Sequence, residues 1–398
     1  MDLTITPGKL TGRISVIPSK SQAHRLLICG AFADKQTTLF CSQTNRDIEA
    51  TASCLKALGA EIIRTPFGYE ITPIRELPKS AVLPCRDSGS TLRFLLPVVG
   101  ALGIPADFHL EGRLAQRPLS PLWEEMERMG CRLRFSAPDV LHCDGQLNSG
   151  EYSIAGNVSS QFISGLLFAS ALIPGENKIK ITGTIESEPY IHMTRQAMEI
   201  FGRSSHNFTV AGGLPFSSPG TVSVEGDWSN GAFFLAANAL GSEVQVDNLA
   251  ESSFQGDRAA KMLIPELKEH CVISAADIPD LVPILSVVAA CNQGAVFTNI
   301  RRLRMKESDR VASVMAMLHS LGGKTDAAED TLTVYGTGLT GGIVDSANDH
   351  RIAMSAAIAA TVCRKPVTIL GAQCVEKSYP NFFEEYRRLG GKYEQYLR

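Results

Sequence analysis

Two short polar runs set against apolar sequence offer the clearest chemistry in this chain. Lys306-Glu307-Ser308-Asp309-Arg310 places two cations and two carboxylates just before the apolar positions Val311, Val314 and Leu318. Asn348-Asp349-His350-Arg351 precedes the apolar run Ile352-Ala353-Met354. A capping Asn or Asp explains one residue of the second run but not Arg351 beside a buried stretch. A lysine–glutamate pair can hold an anion and move a proton, and Lys306 and Glu307 fit that description. The same residues also fit an acid-capped helix with i,i+3 and i,i+4 charge pairs. Asp280, after Ile278-Pro279, reads either as a helix N-cap or as a base at a helix start.

A third run, Pro18-Ser19-Lys20-Ser21-Gln22-Ala23-His24-Arg25, leads from hydroxyl residues into an apolar helix. The first turn of a helix has unpaired N–H groups and partial positive charge. Lys20 and Arg25 add to it, so a phosphate or carboxylate is the expected partner. With Arg117, Lys306, Arg310, Arg351 and Lys377, seven cations lie at or near helix starts or in glycine-rich loops. So many suit a pair of anionic substrates better than one. Gly89, between Ser88 and Ser90, permits close backbone approach to a ligand.

The composition narrows the classes. The chain has 398 residues, more than one core usually serves, so two domains are expected. A net charge of −3 gives no global basic field for nucleic acid, so any anion site is local. Ten cysteines include no pair at CxxC spacing, which argues against a zinc or redox site and fits free thiols in a reducing cytoplasm. The N-terminus lacks the basic and apolar regions of a signal peptide. The longest apolar runs, such as Phe162–Ile173, are too short to span a bilayer.

The elements that must position these residues repeat. Polar helix starts at residues 19, 88, 159, 229, 280 and 349 are separated by roughly 69, 71, 70, 51 and 69 residues. Each leads into a helix of small apolar residues, expected to be buried. A second, amphipathic helix follows over Ile48–Leu58, Leu122–Met129, Met193–Phe201, Ala259–Leu267, Val311–Leu321 and Phe382–Leu389, mostly ending near glycine. The short fourth interval predicts a trimmed unit. Two domains of three units follow, residues 20–225 and residues 1–19 with 226–398, with the helix N-termini facing a cleft. Gly336-Thr337-Gly338-Leu339-Thr340-Gly341 matches GxGxxG, but a short apolar strand follows it, so it reads as a hairpin and not a dinucleotide loop.

Taken together, Pro18-Ser19-Lys20-Ser21 with Arg25, Gln116-Arg117-Pro118, Gly156-Asn157-Val158-Ser159-Ser160-Gln161, Ser187-Glu188-Pro189-Tyr190, the 306–310 and 348–351 runs and Lys377 resemble the enolpyruvyl transferase family over essentially the whole chain. The resemblance implies an α/β fold of two inside-out barrel domains, each of three βαβαββ units. It implies transfer of the enolpyruvyl group of phosphoenolpyruvate to the 5-hydroxyl of shikimate 3-phosphate through a tetrahedral intermediate. Residues 20–225 would form the shikimate 3-phosphate side, and residues 1–19 with 226–398 the phosphoenolpyruvate side. It implies no cofactor, no metal, no nucleic acid and no membrane partner, with a cytoplasmic monomer expected.

By motif position, Lys20, Ser21, Arg25, Ser159, Ser160, Gln161, Ser187, Tyr190, Asp280 and Lys306 resemble the shikimate 3-phosphate contacts. Lys20, Gly89, Arg117, Gln161, Arg310, Arg351 and Lys377 resemble the phosphoenolpyruvate contacts. Asp280 is the candidate base, Glu307 the candidate acid, and Lys20, Lys306 and His350 complete the catalytic set. The family usually has Asn at Asp87, a basic residue at Glu188 and, in some members, Asn at Arg302. The rival branch, acting on UDP-N-acetylglucosamine, usually carries Lys-Asn at the first motif and a loop cysteine. Here Lys20-Ser21 stands first, and Gly112–Arg117 has no cysteine. A catalytically silent anion-binding relative is the remaining alternative.

Overall fold

The computed structural model describes residues 1–396; residues 397 and 398, the end of the expected second domain, lie outside them. The chain divides into two compact units, Pro18–Glu225 and Met1–Ile17 with Gly226–Arg398.

In Pro18–Glu225, three helices are almost wholly buried: Lys20–Ala31, Gly89–Leu102 and Ser160–Leu172. Each starts at a serine whose hydroxyl accepts a backbone N–H of the first turn, from Gln22, Thr91 and Gln161 respectively. The second and third lie, in chain order, between two parallel strands of one sheet. Ala81–Arg86 and Ala106–Leu110 flank the second helix, and Glu151–Ala155 and Gly175–Thr182 the third. Thr221–Ser223, the last strand of the unit, pairs parallel with Thr37–Phe40, the strand that follows the first helix. Antiparallel strands complete the sheets, for example Val140–Gly145 and Cys131–Ala137.

The other unit repeats the scheme. Its buried helices are Trp228–Ala239, Val282–Cys291 and His350–Ala359. Cys271–Ser274 and Ala295–Thr298 form one parallel pair, and Gly342–Asp345 and Val367–Leu370 another. Asp2–Thr6 lies antiparallel between Val367–Leu370 and Lys392–Tyr396, so the start of the chain closes onto its end. The sheet of Thr11–Ser15 and Glu243–Asp247 has two strands only, which accounts for the short repeat interval.

Three expectations need correction. The helix expected over Met193–Phe201 starts earlier and runs Glu188–Ile200, because Pro189 is tolerated in a first turn and Ser187 enters it with φ 55°. Asp280 is not an N-cap. Val282–Cys291 is preceded by Leu281 and has no side-chain cap, so the carboxylate is left for other partners. The GxGxxG run is not a hairpin: the flanking strands Thr331–Tyr335 and Gly342–Asp345 belong to different sheets.

The helices Gly89–Leu102 and Ser160–Leu172 pack along each other. Pro97 has no N–H, so it cannot satisfy the Arg93 carbonyl within its own helix. Gly165 of the neighbouring helix faces that carbonyl. A Cβ there would stand 2.3 Å from the oxygen and 3.1 Å from Pro97 Cγ. Gly165→Ala is therefore expected to destabilise the unit by about 1–3 kcal/mol. The readout is a lower urea midpoint at unchanged slope; a midpoint equal to the parent's would show that the close approach is not needed.

Candidate active site

In Pro18–Glu225, the predicted residues fall into two neighbouring groups. Arg25 is 2% exposed. Its guanidinium donates to Thr194 Oγ1 at 2.8 Å, to the Ser21 carbonyl at 2.5 Å and to the Tyr190 carbonyl at 2.8 Å. It also lies 4.9 Å from the centre of the Phe94 ring. Burial pushes Arg25 down to about 9, so it remains a cation at neutral pH. Ser187 joins this group through its carbonyl, which accepts from Tyr190 N at 3.1 Å.

The second group surrounds Gly89. A Cβ there would stand 2.8 Å from an Arg117 guanidinium nitrogen and 2.7 Å from one of Arg93. Two guanidinium groups thus converge on a helix N-terminus, and only glycine leaves them room. Arg93 donates to Gln161 Oε1 at 3.1 Å and to the Pro118 carbonyl at 3.2 Å. Gln161 Nε2 donates to Ser90 Oγ at 2.9 Å. Ser159 Oγ accepts from Gln161 N, and Ser160 is buried. Lys20 Nζ is 3.0 Å from the Asp47 carboxylate.

Sequence reasoning missed both Arg93 and Asp47. The signal for Arg93 was available: a cation inside Leu92-Arg93-Phe94-Leu95 is as anomalous as Arg351 beside its apolar run. Glu188, flagged for its sign, is exposed and pairs with His192 at 3.4 Å.

The second unit gathers a denser set. Arg310 is fully buried. Its Nε is 3.0 Å from Asp349 Oδ2, Nη1 is 2.7 Å from Asp280 Oδ1, and Nη2 is 2.5 Å from Glu307 Oε2. Burial opposes that charge, and Asp349, Glu307 and Asp280 overcome it, so its pKa is raised. Asp349 in turn caps the helix His350–Ala359, accepting from Arg351 N at 3.0 Å, and also accepts from Ser308 Oγ. Arg351 Nη2 is 2.9 Å from Asp280 Oδ2, and Nη1 donates to the Asp280 carbonyl. Lys306 Nζ stands 3.7 Å from Asp280.

Burial would raise the pKa of Asp280. Arg351, Lys306 and Arg310 together drive it far below the usual carboxylate range. Lys306 is affected in the opposite sense: burial lowers it to about 8, against the pull of Asp280, although 27% of its side chain reaches solvent. Arg302 adds to that lowering and donates to the Ala276 carbonyl at 2.7 Å. Lys377 Nζ donates to the Asn348 carbonyl at 3.1 Å, which ties it to the 348–351 run, where His350 is buried at the first helical position.

Each unit therefore concentrates cations at the N-termini of buried helices, an arrangement suited to anion binding. In the second unit carboxylates stand among the cations, so charge and proton transfer are both available there. Among the described residues, no group of three or more His, Cys, Asp or Glu could hold a metal ion, and no helix is long and apolar enough to cross a membrane.

The family model for EPSP synthase (3-phosphoshikimate 1-carboxyvinyltransferase) matches residues 5–386. The 3-phosphoshikimate 1-carboxyvinyltransferase of Clostridium kluyveri is 36% identical over 420 residues, spanning 99% of this chain and 98% of its own. That of Clostridium perfringens is 38% identical over 415 residues, 97% and 98% of the two chains. The structure of an EPSP synthase from Acinetobacter baumannii superposes with a TM-score of 0.79 over 99% of this chain and 100% of its own. At 22% identity that likeness speaks to fold.

Lys306 provides a pH test of this geometry. Reductive ¹³C-methylation should reveal one lysine resonance titrating near pH 8, missing from Lys306→Arg. An unfolded lysine keeps its proton up to about pH 10.4. Between the two values the unfolded chain binds the extra proton, so this group's contribution to stability rises with pH. If every lysine resonance titrates above pH 10, the crowding around Lys306 is wrong.

Proposed function

Because this chain belongs to the EPSP synthase (3-phosphoshikimate 1-carboxyvinyltransferase) family, we propose that it transfers the enolpyruvyl group of phosphoenolpyruvate to the 5-hydroxyl of shikimate 3-phosphate, releasing phosphate, in aromatic amino acid biosynthesis. One observation carries the residue assignment: Lys306, Glu307, Arg310, Arg351 and Asp280 form a single charged cluster at helix starts. We read each unit as an inside-out barrel of three βαβαββ repeats. Three sheets per unit and the parallel pairs around the buried helices support that reading.

On this reading, Arg25 takes the shikimate carboxylate, and Ser159, Ser160 and Ser187 take its phosphate. Ser21, Gln161 and Tyr190 line the ring. Lys20, Arg117 and Gln161, with the Gly89 backbone, hold anionic oxygens of phosphoenolpyruvate, as do Arg310, Arg351 and Lys377. The two substrates together carry about five negative charges, which clustered cations in a site of low dielectric can balance.

Asp280 is a weak base while three cations bear on it. A phosphoenolpyruvate anion on Arg351 would relieve it of one of them and raise its basicity. Asp280 then accepts the 5-hydroxyl proton as the oxygen attacks C2. Glu307, an ion-pair partner of Arg310 with 23% of its side chain open to solvent, first takes up a proton from water and then gives it to the methylene carbon, forming a methyl group and the tetrahedral ketal. Loss of a methyl proton and of phosphate from that ketal restores the double bond. Lys306, His350 and Lys20 stabilise the charge that moves in these steps.

Phosphate release with phosphoenolpyruvate and shikimate 3-phosphate tests the proposal. Turnover only with UDP-N-acetylglucosamine, or with neither acceptor, would overturn it. Lys20→Ala and Arg351→Ala should raise the KM for phosphoenolpyruvate by an order of magnitude or more in protein that still folds, Asp280 keeping Arg310 and Lys306 as partners in the second variant. Glu307→Gln should lower kcat by about 10²–10⁴. Parental kinetics in these variants would remove the residues from their roles.

A further inference from the structure

Asp257 is a buried acid that the reaction above does not use. It lies in the 3-10 turn Gly256–Ala259 and is 1% exposed. One carboxyl oxygen, Oδ2, accepts a hydrogen bond from Ser229 Oγ, in the first turn of the helix Trp228–Ala239. The other, Oδ1, is shielded from solvent and has no hydrogen-bond partner among the described residues. A carboxylate so placed is strongly disfavoured, and the usual outcome is that the group takes up a proton.

The charges bearing on Asp257 come from three elements. Asp280 precedes Val282–Cys291, Arg351 opens His350–Ala359, and Asp227 caps Trp228–Ala239. Two of the three are anions. Asp280, by contrast, has Arg310 at 2.7 Å, Arg351 at 2.9 Å and Lys306 at 3.7 Å. Of two interacting carboxyl groups, the one in contact with cations ionises and the other keeps the proton. Burial first, and then Asp280, push Asp257 up to about 7.

We propose that Asp257 is a positioning acid for the anion site, held neutral so that it and Asp280 together carry one negative charge and Arg351 keeps charge to offer a ligand. Ionising Asp257 would set a second anion against Arg351 and weaken its hold on an anionic ligand. By linkage, an anion bound at Arg351 keeps the proton on Asp257. The proposal rests on the reading of Arg351 as an anion contact.

Two measurements test it, and neither needs turnover. Infrared spectroscopy of the whole chain should show the C=O stretch of a protonated carboxylic acid at about pH 6 that fades by about pH 8. The band should be missing from Asp257→Asn. Calorimetric binding of sulfate, which does not itself titrate in this range, should weaken with rising pH. The weakening should be about fivefold greater in the parent than in Asp257→Asn.

If Asp257→Asn fails to fold, Ser229→Ala serves instead. Losing the donor to the charged form should move the midpoint of the band to higher pH. A band that does not titrate, sulfate binding with the same pH dependence in parent and Asp257→Asn, or an unmoved midpoint in Ser229→Ala overturns the proposal. Absent phosphate release with a titrating band present would instead count against the assigned reaction.

Discussion

The second unit is organised around one guanidinium that water does not reach. Arg310 has no exposed surface, and each of its nitrogens faces a carboxylate: Asp349, Asp280 or Glu307. These acceptors come from three parts of the chain, the segment before Val282–Cys291, the 306–310 run and the cap of His350–Ala359. A buried cation cannot be left uncompensated, so those segments are fixed relative to one another. Asp349 has two tasks, since the carboxylate that pairs with Arg310 also caps the helix carrying Arg351. Asp280 likewise pairs with Arg310 and Arg351 together.

The two units differ in the groups that hold their buried guanidiniums. In Pro18–Glu225, Arg25 and Arg93 are held by neutral groups: backbone carbonyls, a threonine hydroxyl and a glutamine amide. These contacts orient the two guanidinium groups, while Lys20 of the same unit pairs with Asp47 at 3.0 Å. In the other unit, carboxylates stand among the cations and take up much of the charge. An arriving anion must compete with Asp280 for Arg351, and that competition changes the basicity of Asp280. Binding and proton transfer are linked there because the same contacts serve both.

Much of this was legible in sequence because helix starts are local chemistry. Ser19, Ser88, Ser159 and Asp349 each accept an N–H within the next three residues, so the polar-to-apolar boundary alone marks them. Arg351 stood out because burial of a cation needs a reason. Arg93 has the same property but sits a full turn inside its helix, where no cap pattern draws attention to it. Asp280 was placed near a helix start correctly, but Pro283 lets Val282 open the helix without a cap, and the carboxylate turns to Arg310 and Arg351. Asp47 and Asp257 were not legible at all. Their importance lies in contacts with residues 27 and 28 positions away, which no local pattern encodes.

The most direct test is the coupling between Arg310 and Asp349. Trp228 reports on their unit once Trp123, in the other, is replaced by phenylalanine. In that background, urea unfolding followed by fluorescence can be measured for Arg310→Met, Asp349→Asn and the double variant. Each single change should cost about 3–5 kcal/mol, because it strands a buried charge. The double variant should lose much less than the sum. Strictly additive losses would contradict the view that this ion pair holds the site together.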